Sequence, residues 1–145
     1  MSDVRLDIYS PPEGDSHPVF IFVHGRGWDS CDKEAFVPVA MRLIPRDMVV
    51  VIPDCTLHPD ATYEETTAEI AAAVSWTFAN AARYRGDPNR VVLGRHSAGG
   101  HLSALVAFDT CRLNLPGTAA EPRLASAPRS DYLSLTTDGK AVRPA

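Results

Sequence analysis

One serine in this sequence lies where a strand could turn sharply into a helix, an arrangement that suits nucleophilic catalysis. Ser97 follows a short β-branched run, Val91–Leu93, which predicts a buried parallel strand. After the serine, apolar residues within 102–108 are spaced like one face of a helix. Strand, tight turn and helix in this order outline a nucleophile elbow, G-x-S-x-G, which lifts the hydroxyl above the sheet. The sequence therefore predicts a nucleophilic serine, and the alternative is a chance serine in a loop.

The elbow pattern is met on one side of Ser97 only. Gly99 occupies the position two residues after the serine, but Arg95 occupies the position two before it, and the nearest preceding glycine, Gly94, comes one residue early. Both flanking sites are small in this pattern because the turn leaves no room for a side chain. We therefore expect Arg95 to cost roughly 1–3 kcal/mol of strain, or the turn to relax and displace the serine.

A second loop with glycines follows another buried strand. Val19–Val23 is an unbroken apolar run, typical of a strand covered on both faces, and it continues directly into His24-Gly25-Arg26-Gly27. Glycines after a buried strand let the backbone approach a neighbouring group closely. The N–H groups of this loop could therefore face the same space as the serine, and the alternative is an ordinary β-to-α turn.

The remaining sequence predicts strands that alternate with helices. Val4–Tyr9 alternates apolar and polar residues, which indicates a half-exposed edge strand, and Met48–Ile52 is a third continuous apolar strand. One helix has Asp32 as its candidate N-cap and is expected to become regular near Pro38, with the proline in the first turn. Another helix begins at a capping box formed by Thr62 and Glu65. Alternating elements with strands apolar on both faces predict an α/β fold with a mostly parallel sheet.

Composition indicates an ordinary globular chain. The 145 residues carry a net charge of −4, too small to indicate a nucleic-acid partner or a membrane surface. The N-terminus shows no signal peptide, and no apolar run approaches the roughly 20 residues that span a bilayer. The five histidines have no zinc-site spacing, so neither a metal nor a cofactor is expected. Three widely spaced cysteines predict reduced thiols in a cytoplasmic protein: Cys31, Cys55 and Cys111.

Three segments together carry a family resemblance: HGRGW after a strand, PDCTLHPDATYEE before a helix, and DPNRVVLGRHSAGGHLSALVAF. Over about Leu6–Phe108 they resemble the esterase group of the α/β-hydrolase fold, which includes feruloyl and acetyl-xylan esterase-like domains, small lipases and kynurenine formamidase. The resemblance implies a serine hydrolase that cleaves a small-molecule carboxylic ester or arylformamide through an acyl-enzyme on Ser97. It also implies an oxyanion hole with N–H groups from Gly25, Arg26, Gly27 and Ala98.

By this resemblance residues 1–109 are the N-terminal portion of an α/β-hydrolase domain, a partial hydrolase without the C-terminal strands. Residues 110–145 contain four prolines and no sustained periodicity, which predicts an irregular, poorly ordered tail. Within this tail, Tyr132–Leu135 could form one small element. Without further strands, Val91–Leu93 would be an apolar sheet edge that invites self-association, and the tail or a second chain could cover it.

Two sites in the loops depart from the family pattern. Asp54-Cys55-Thr56 stands where the family usually carries Asp-Tyr-Arg, so the loop lacks an arginine that anchors ion pairs. Arg26 fills a site in the oxyanion loop that is usually glycine. The resemblance therefore implies that the loop after the third strand has lost a support.

A further departure concerns the catalytic triad. In this fold the acid and then the histidine follow the serine along the chain, but the only histidine after Ser97 is His101, one helical turn away. Neither the triad acid nor the base is identified, which implies a chain truncated after the nucleophile helix with impaired hydrolysis. His24 as a substitute base is less favoured. The alternatives are a catalytically silent hydrolase-fold protein that binds a ligand or partner, and a non-functional fragment.

Overall fold

A six-stranded mixed sheet forms the centre of this protein. The computed structural model describes residues 5–25, 33–56, 59–108, 132–135 and 141–142. The strands are β1 Leu6–Tyr9, β2 His17–Val23, β3 Val49–Pro53, β4 Gly86–Arg95, β5 Tyr132–Leu135 and β6 Ala141–Val142. Across the sheet they follow the order β4-β2-β3-β1-β5-β6.

Helices lie between β2 and β3, between β3 and β4, and after β4. In the described chain they are α1 Val37–Leu43, α2 Tyr63–Asn80 and α3 Ala98–Phe108, with short 3₁₀ turns at Lys33–Phe36, Ile44–Arg46 and Ala81–Tyr84. The capping box predicted for α2 is confirmed, because the Thr62 hydroxyl accepts from the Glu65 N–H and the Glu65 carboxylate accepts from the Thr62 N–H. The candidate N-cap Asp32 lies outside the described residues, whereas the regular helix begins near Pro38 as expected, with α1 starting at Val37. Among the described helices, none has the length and apolar character that crossing a bilayer requires.

The central strands are buried on both faces, as their continuous apolar runs predict. β2 pairs in parallel with β3 and with β4. Val19, Ile21 and Val23 pack with residues of α2 and α3, whereas Phe20 and Phe22 pack with residues of α1. Burying each such side chain contributes roughly 1.5–3 kcal/mol, so the two-sided cover of β2 stabilises the strand that leads into the glycine loop. The predicted α/β fold is confirmed.

The prediction that the first strand is a half-exposed edge is wrong. β1 lies between β3 and β5, antiparallel to both, and all of its residues are buried. Asp7, which gives this strand its alternating pattern, is only 6% exposed, and its carboxylate accepts a hydrogen bond from the Tyr9 hydroxyl. The alternating pattern gave a wrong prediction because a polar side chain can be buried in a strand when neighbouring groups hydrogen bond to it.

The tail contributes strands to one side of the sheet. Tyr132–Leu135, the segment expected to form a small element, is β5 and pairs with β1, and β6 pairs with β5. These strands lie on the opposite side of the sheet from β4, which pairs only with β2 among the strands described. They therefore do not cover Val91–Leu93. The division of the chain at residue 109 stays a prediction, because most of 109–145 lies outside the described residues.

Candidate active site

The predicted corner is formed by the end of β4 and the start of α3. β4 ends at Arg95 and α3 begins at Ala98, so Ser97 occupies the turn between them. Ser97 is exposed and has a φ of 51°, in the left-handed region that residues other than glycine seldom adopt. This conformation costs an L-residue roughly 1–2 kcal/mol, so the surrounding structure has to hold the serine in it.

Arg95 lies beside this corner, and the strain expected from its side chain stays a prediction. Its backbone is extended within β4 and outside the left-handed region, and its side chain is exposed. The aliphatic part passes the start of α3, where its Cδ lies 3.5 Å from the position that a β-carbon would take at Gly100. The arginine is tolerated because its side chain leaves the corner toward solvent. Gly94 has a different role, since a β-carbon there would lie 2.6 Å from Cε2 of Phe20.

The loop that follows β2 begins in direct contact with the corner. A β-carbon at Gly25 would lie 2.7 Å from the Ala98 nitrogen and 2.9 Å from the Gly99 nitrogen, so only glycine allows this approach of the two backbones. Gly25 and Ala98, two of the predicted oxyanion-hole residues, are therefore neighbours. The other two, Arg26 and Gly27, lie outside the described residues.

The corner is also fixed to the end of β2 from the other side. A β-carbon at Gly99 would lie 2.6 Å from the His24 carbonyl oxygen and would also collide with the Val23 carbonyl oxygen. The His96 N–H donates a hydrogen bond to that Val23 oxygen at 3.2 Å. The end of β2 and the first turn of α3 therefore form one interlocked unit, in which neither backbone can move far alone.

The first N–H groups of α3 are not all engaged. The Gly99 N–H donates to the His96 carbonyl oxygen at 3.0 Å, and the Gly100 N–H donates to the Ser97 carbonyl oxygen at 2.8 Å. The Ala98 N–H donates to no group in the part of the chain that the structure describes, as expected at the start of a helix. It is therefore available to a negative charge that develops beside the serine.

Three histidines near the corner each contact another aromatic ring. The His24 ring is buried and stacks on Phe36 with a centroid distance of 5.2 Å. The exposed His96 ring lies 6.3 Å from the same phenyl ring. His101 Nε2 is 3.1 Å from the Tyr63 hydroxyl. Within residues 5–25, 33–56 and 59–108, no imidazole hydrogen bonds to the serine hydroxyl.

A group of partly buried charges lies where β1 and β3 are side by side, with side chains that are 8% exposed at Asp7, 13% at Lys33 and 25% at Asp54. Lys33 Nζ is 3.6 Å from a carboxylate oxygen of Asp7 and 3.6 Å from one of Asp54. The Lys33 N–H donates to Asp54 Oδ1 at 3.1 Å, and Lys33 Nζ pairs with the exposed Glu34 at 2.8 Å. His24 Nε2 is buried 3.7 Å from Asp54 Oδ1 without a hydrogen-bond partner among the described residues. We call Asp7, Lys33 and Asp54 the charge cluster.

Lys33 and Asp54 each stabilise the charged form of the other. For Asp54, burial is the largest single influence and raises the pKa, but His24 together with the ammonium and N–H of Lys33 lowers it further, so the net pKa lies below the ordinary value. For Lys33, burial lowers the pKa, while Glu34, Asp7 and Asp54 raise it by more. Both groups therefore carry their charges at neutral pH.

Comparison with known proteins decides the family. The sequence model of the BD-FAE family matches residues 6–127, most of this chain. This chain belongs to the BD-FAE family of α/β-hydrolase esterases.

Relatives of the BD-FAE chain carry esterase names. It is 34% identical over 106 residues to the probable isoprenylcysteine alpha-carbonyl methylesterase ICMEL2 of Arabidopsis thaliana, covering 72% of this chain and 25% of the relative. It is 34% identical over 109 residues to the carboxylesterase NlhH of Mycobacterium tuberculosis, covering 74% of this chain and 34% of the relative. The chain thus spans about a third or less of the length of these relatives.

Solved structures match over the same part of the BD-FAE chain. The propionate-bound esterase Est2 of Thermogutta terrifontis superposes with a TM-score of 0.62 at 28% identity, over 70% of this chain and 39% of the esterase. The carboxylesterase EstE1, cloned from a metagenomic library, gives a TM-score of 0.64 at 27% identity, over 72% of this chain and 36% of the esterase. The resemblance to the esterase group of α/β-hydrolases is confirmed.

The loop after β3 of the BD-FAE chain is supported, although it carries no arginine at position 56. The N–H and the hydroxyl of Thr56 donate to the Glu69 carboxylate at 2.6 and 2.8 Å, and Thr66 Oγ1 donates to the Thr56 carbonyl oxygen at 2.9 Å. Glu69 is only 7% exposed. The expectation of a lost support is therefore wrong, because α2 supplies a buried carboxylate that holds this loop directly.

Neither sulfur nor metal chemistry is apparent at the described site of the BD-FAE chain. Burial and the nearby Glu69 and Asp54 raise the pKa of the Cys55 thiol to about 11, so it stays protonated at neutral pH. Cys31 and Cys111 lie outside the described residues. No group of three or more histidine, cysteine or acidic residues that could hold a metal occurs among the residues described.

The charge cluster of the BD-FAE chain was not predicted from the sequence. A signal was present in Asp54, which comes two residues after the carboxyl end of the predicted strand Met48–Ile52, where functional side chains of α/β folds collect. Asp7 also stood out as a carboxylate within a strand pattern. Nothing in the local sequence pointed to Lys33, because its partners are 21 and 26 residues away along the chain.

We expect Asp54→Asn to reduce the acid sensitivity of the BD-FAE chain. Because the folded-state pKa of Asp54 lies below its unfolded value of about 3.9, the carboxylate stabilises the fold above pH 3.9. This stabilisation is lost as the pH falls through the folded-state pKa. Urea denaturation at several pH values should show a steeper acid loss of unfolding free energy for the wild type than for Asp54→Asn.

The matched control for this experiment is Asp60→Asn, the same chemical change at an exposed carboxylate. Its unfolding free energy should follow the wild-type curve across the acid range. Parallel curves for the wild type and Asp54→Asn would contradict the assigned role of Asp54.

Proposed function

We propose that this chain carries the nucleophile and oxyanion-binding part of a serine hydrolase that cleaves small-molecule carboxylic esters or arylformamides. One observation carries the proposal. Ser97 stands exposed at a strand-to-helix corner with a φ of 51°, beside an Ala98 N–H that no described group accepts. A costly backbone conformation at a reactive residue is typical of a functional site.

The proposed chemistry is acyl transfer to water. The Ser97 oxygen attacks the carbonyl carbon of the ester, its proton passes to a base, and the carbonyl oxygen becomes an oxyanion that accepts from the Ala98 N–H and from the Gly25–Gly27 loop. The C–O bond to the alcohol then breaks, and the alcohol leaves with a proton. Water hydrolyses the acyl-serine, which releases the acid and restores the hydroxyl. Removing one oxyanion donor typically costs about 2.7–4 kcal/mol of transition-state stabilisation.

The relatives support an ester as the substrate. ICMEL2 is named a methylesterase, NlhH is named a carboxylesterase, and Est2 is described with propionate, a short carboxylate. We therefore propose a substrate with a small acyl group, which binds beside Ser97.

The same proposal includes self-association along β4, a strand of 10 residues that has one neighbour among the described strands.

A second candidate function is ligand binding without turnover. It is favoured by one observation, that none of the imidazoles in the described part of the chain hydrogen bonds to the serine hydroxyl. A serine hydroxyl without a base is a weak nucleophile. A silent hydrolase-fold protein would still offer the Ala98 N–H and the glycine loop to an ester or carboxylate ligand.

Covalent labelling with paraoxon tests the proposal. Attack of the Ser97 oxygen on phosphorus displaces p-nitrophenolate and leaves a diethylphosphoryl group on the serine, with the hydroxyl proton released to the base or to solvent. We expect a single adduct per chain, which mass spectrometry of the digested protein places on Ser97. An adduct on another residue would contradict the proposal. No adduct, together with saturable binding of an ester analogue, would favour the second candidate.

A further inference from the structure

We infer that Arg95 selects the charge of the substrate: it binds a carboxylate on the alcohol part of the ester that Ser97 attacks. The inference rests on the function proposed above, because that proposal defines which groups of the substrate lie near Ser97. It concerns a residue that the elbow pattern does not supply, since the pattern carries a glycine at this position. Arg95, Ser97 and the first turn of α3 all belong to the described chain.

The side chain of Arg95 lies along the first turn of α3. Its Cδ and Nε are 3.5 and 3.9 Å from the position that a β-carbon would take at Gly100. In a helix that position tilts toward the N-terminus. The Gly100 N–H donates to the Ser97 carbonyl oxygen at 2.8 Å, so Gly100 is one turn after the proposed nucleophile. The guanidinium therefore extends from a point beside the turn that carries Ser97, over a helix surface that glycine leaves free.

The positive charge of Arg95 is not neutralised within the described chain. The residue is exposed, and it forms no ion pair or hydrogen bond through its side chain with the residues that the structure describes. The ion-paired carboxylates of those residues are matched with Lys33 or His24 instead. Helix α3, on which Arg95 lies, contains no acidic residue. The cation is therefore available to a ligand.

A guanidinium in this place favours one class of anion. Its planar fork donates two parallel hydrogen bonds to a carboxylate, and it stays charged at neutral pH. A single guanidinium balances one negative charge, which suits a carboxylate better than a doubly charged phosphate group. Because the proposed acyl group is small, the carboxylate belongs to the part of the substrate that leaves. The substrate class is thus an ester of a small acid with an alcohol or phenol that carries an ionised carboxyl group.

Steady-state hydrolysis of two matched esters by the full chain measures this preference. The ester 4-acetoxybenzoate carries a carboxylate on its leaving group, and methyl 4-acetoxybenzoate is the same ester without that charge. The readout is the ratio of kcat/KM for the charged ester to kcat/KM for the neutral ester. The intrinsic reactivities of the two esters cancel when the ratio of a variant is divided by the ratio of the wild type.

We expect Arg95→Gln to lower this ratio about five- to tenfold, the size of effect that an exposed but well-aligned charged hydrogen bond gives. The matched control is Arg90→Gln, which removes the same charge at an exposed position earlier on β4. That variant should keep the ratio within about twofold of the wild-type value. An unchanged ratio in Arg95→Gln, or an equal fall in Arg90→Gln, would overturn the inference.

Ionic strength separates recognition of charge from an effect of side-chain size. Raising the KCl concentration from about 10 mM to about 0.5 M screens interactions between exposed charges. The wild-type ratio should then fall toward the ratio of Arg95→Gln, while the ratio of the variant should change less. A wild-type ratio that does not respond to salt would contradict the assigned role of Arg95.

Binding without turnover separates this inference from the proposed function. In Ser97→Ala, which lacks the nucleophile, 4-acetoxybenzoate should bind at least about fivefold more tightly than its methyl ester, as measured by NMR titration of the Gly100 amide. Adding Arg95→Gln to Ser97→Ala should abolish the difference. If the wild type shows no turnover that depends on Ser97, the proposed function fails, but this difference in binding still tests Arg95. Equal binding of the two esters to Ser97→Ala would overturn the inference.

Discussion

Ser97→Ala is expected to lower ester hydrolysis by about three powers of ten, or to the uncatalysed rate if that is reached first, because the attacking oxygen is removed. Initial rates on p-nitrophenyl acetate at equal protein concentration measure this loss. The fold should be retained, since Ser97 is exposed and its side chain makes no contact on which the described core depends.

Ser103→Ala is the matched control on the same helix. Ser103 is only 3% exposed, and its hydroxyl has no hydrogen-bond partner among the described residues. Removing an unsatisfied buried hydroxyl is expected to be neutral or stabilising, and the hydrolysis rate should not change. Equal rates for Ser97→Ala and the wild type would show that any hydrolysis arises elsewhere on the chain.

The Ser97→Gly variant separates the effect of backbone strain at position 97 from the effect of losing the nucleophile. Ser97→Gly should be as inactive as the alanine variant, yet its unfolding free energy should rise by up to about 1 kcal/mol, because glycine adopts a φ of 51° without steric cost. A stability that falls in this variant would mean that the serine side chain supports the corner.

The second large effect is expected from Gly99→Ala, compared with Gly100→Ala one residue later. An added methyl group at Gly99 meets the backbone of Val23 and His24, which cannot yield as a flexible side chain could. We expect a loss of about 3 kcal/mol in unfolding free energy and loss of hydrolysis. At Gly100 the nearest atom to the methyl group is Cδ of Arg95, at an ordinary contact distance of 3.5 Å.

Gly100→Ala should therefore stabilise the protein by roughly 0.5–1 kcal/mol, because alanine favours the helix more than glycine does. Thermal and urea denaturation of Gly99→Ala and Gly100→Ala measure the opposite changes that we expect in unfolding free energy. If Gly99→Ala and Gly100→Ala changed the unfolding free energy in the same direction, the close docking of α3 on the end of β2 would be contradicted.

The elements around the site could be predicted because their signals are local. The strand before Gly25, the strand before Ser97 and the capping box of α2 each depend on residues within a few positions of one another. The corner was predicted for the same reason, since a strand, a serine and a glycine at fixed spacing specify it. Sequence therefore located the candidate nucleophile and the loop beside it.

What escaped prediction depends on contacts between distant residues. The neighbours of β1 come from β3 and from β5, the latter more than 100 residues away, so no local pattern could show that Asp7 is buried. The role of Lys33 depends on carboxylates from two different strands. The cost of Arg95 cannot be judged from the sequence, because the elbow pattern shows which residue types fit but not the direction in which a long side chain leaves the turn.

The position of β2 has a consequence for synthesis. Val19 of β2 pairs with Val49 of β3 and with Val91 of β4. These partners are translated roughly 30 and roughly 70 residues after Val19, and pairings between residues so far apart in sequence form slowly. Until β4 leaves the ribosome, one side of an apolar strand that ends at the glycine loop stays uncovered. We therefore expect the nascent chain to expose an extended apolar segment during synthesis, and slowed elongation before β4 should lengthen that exposure.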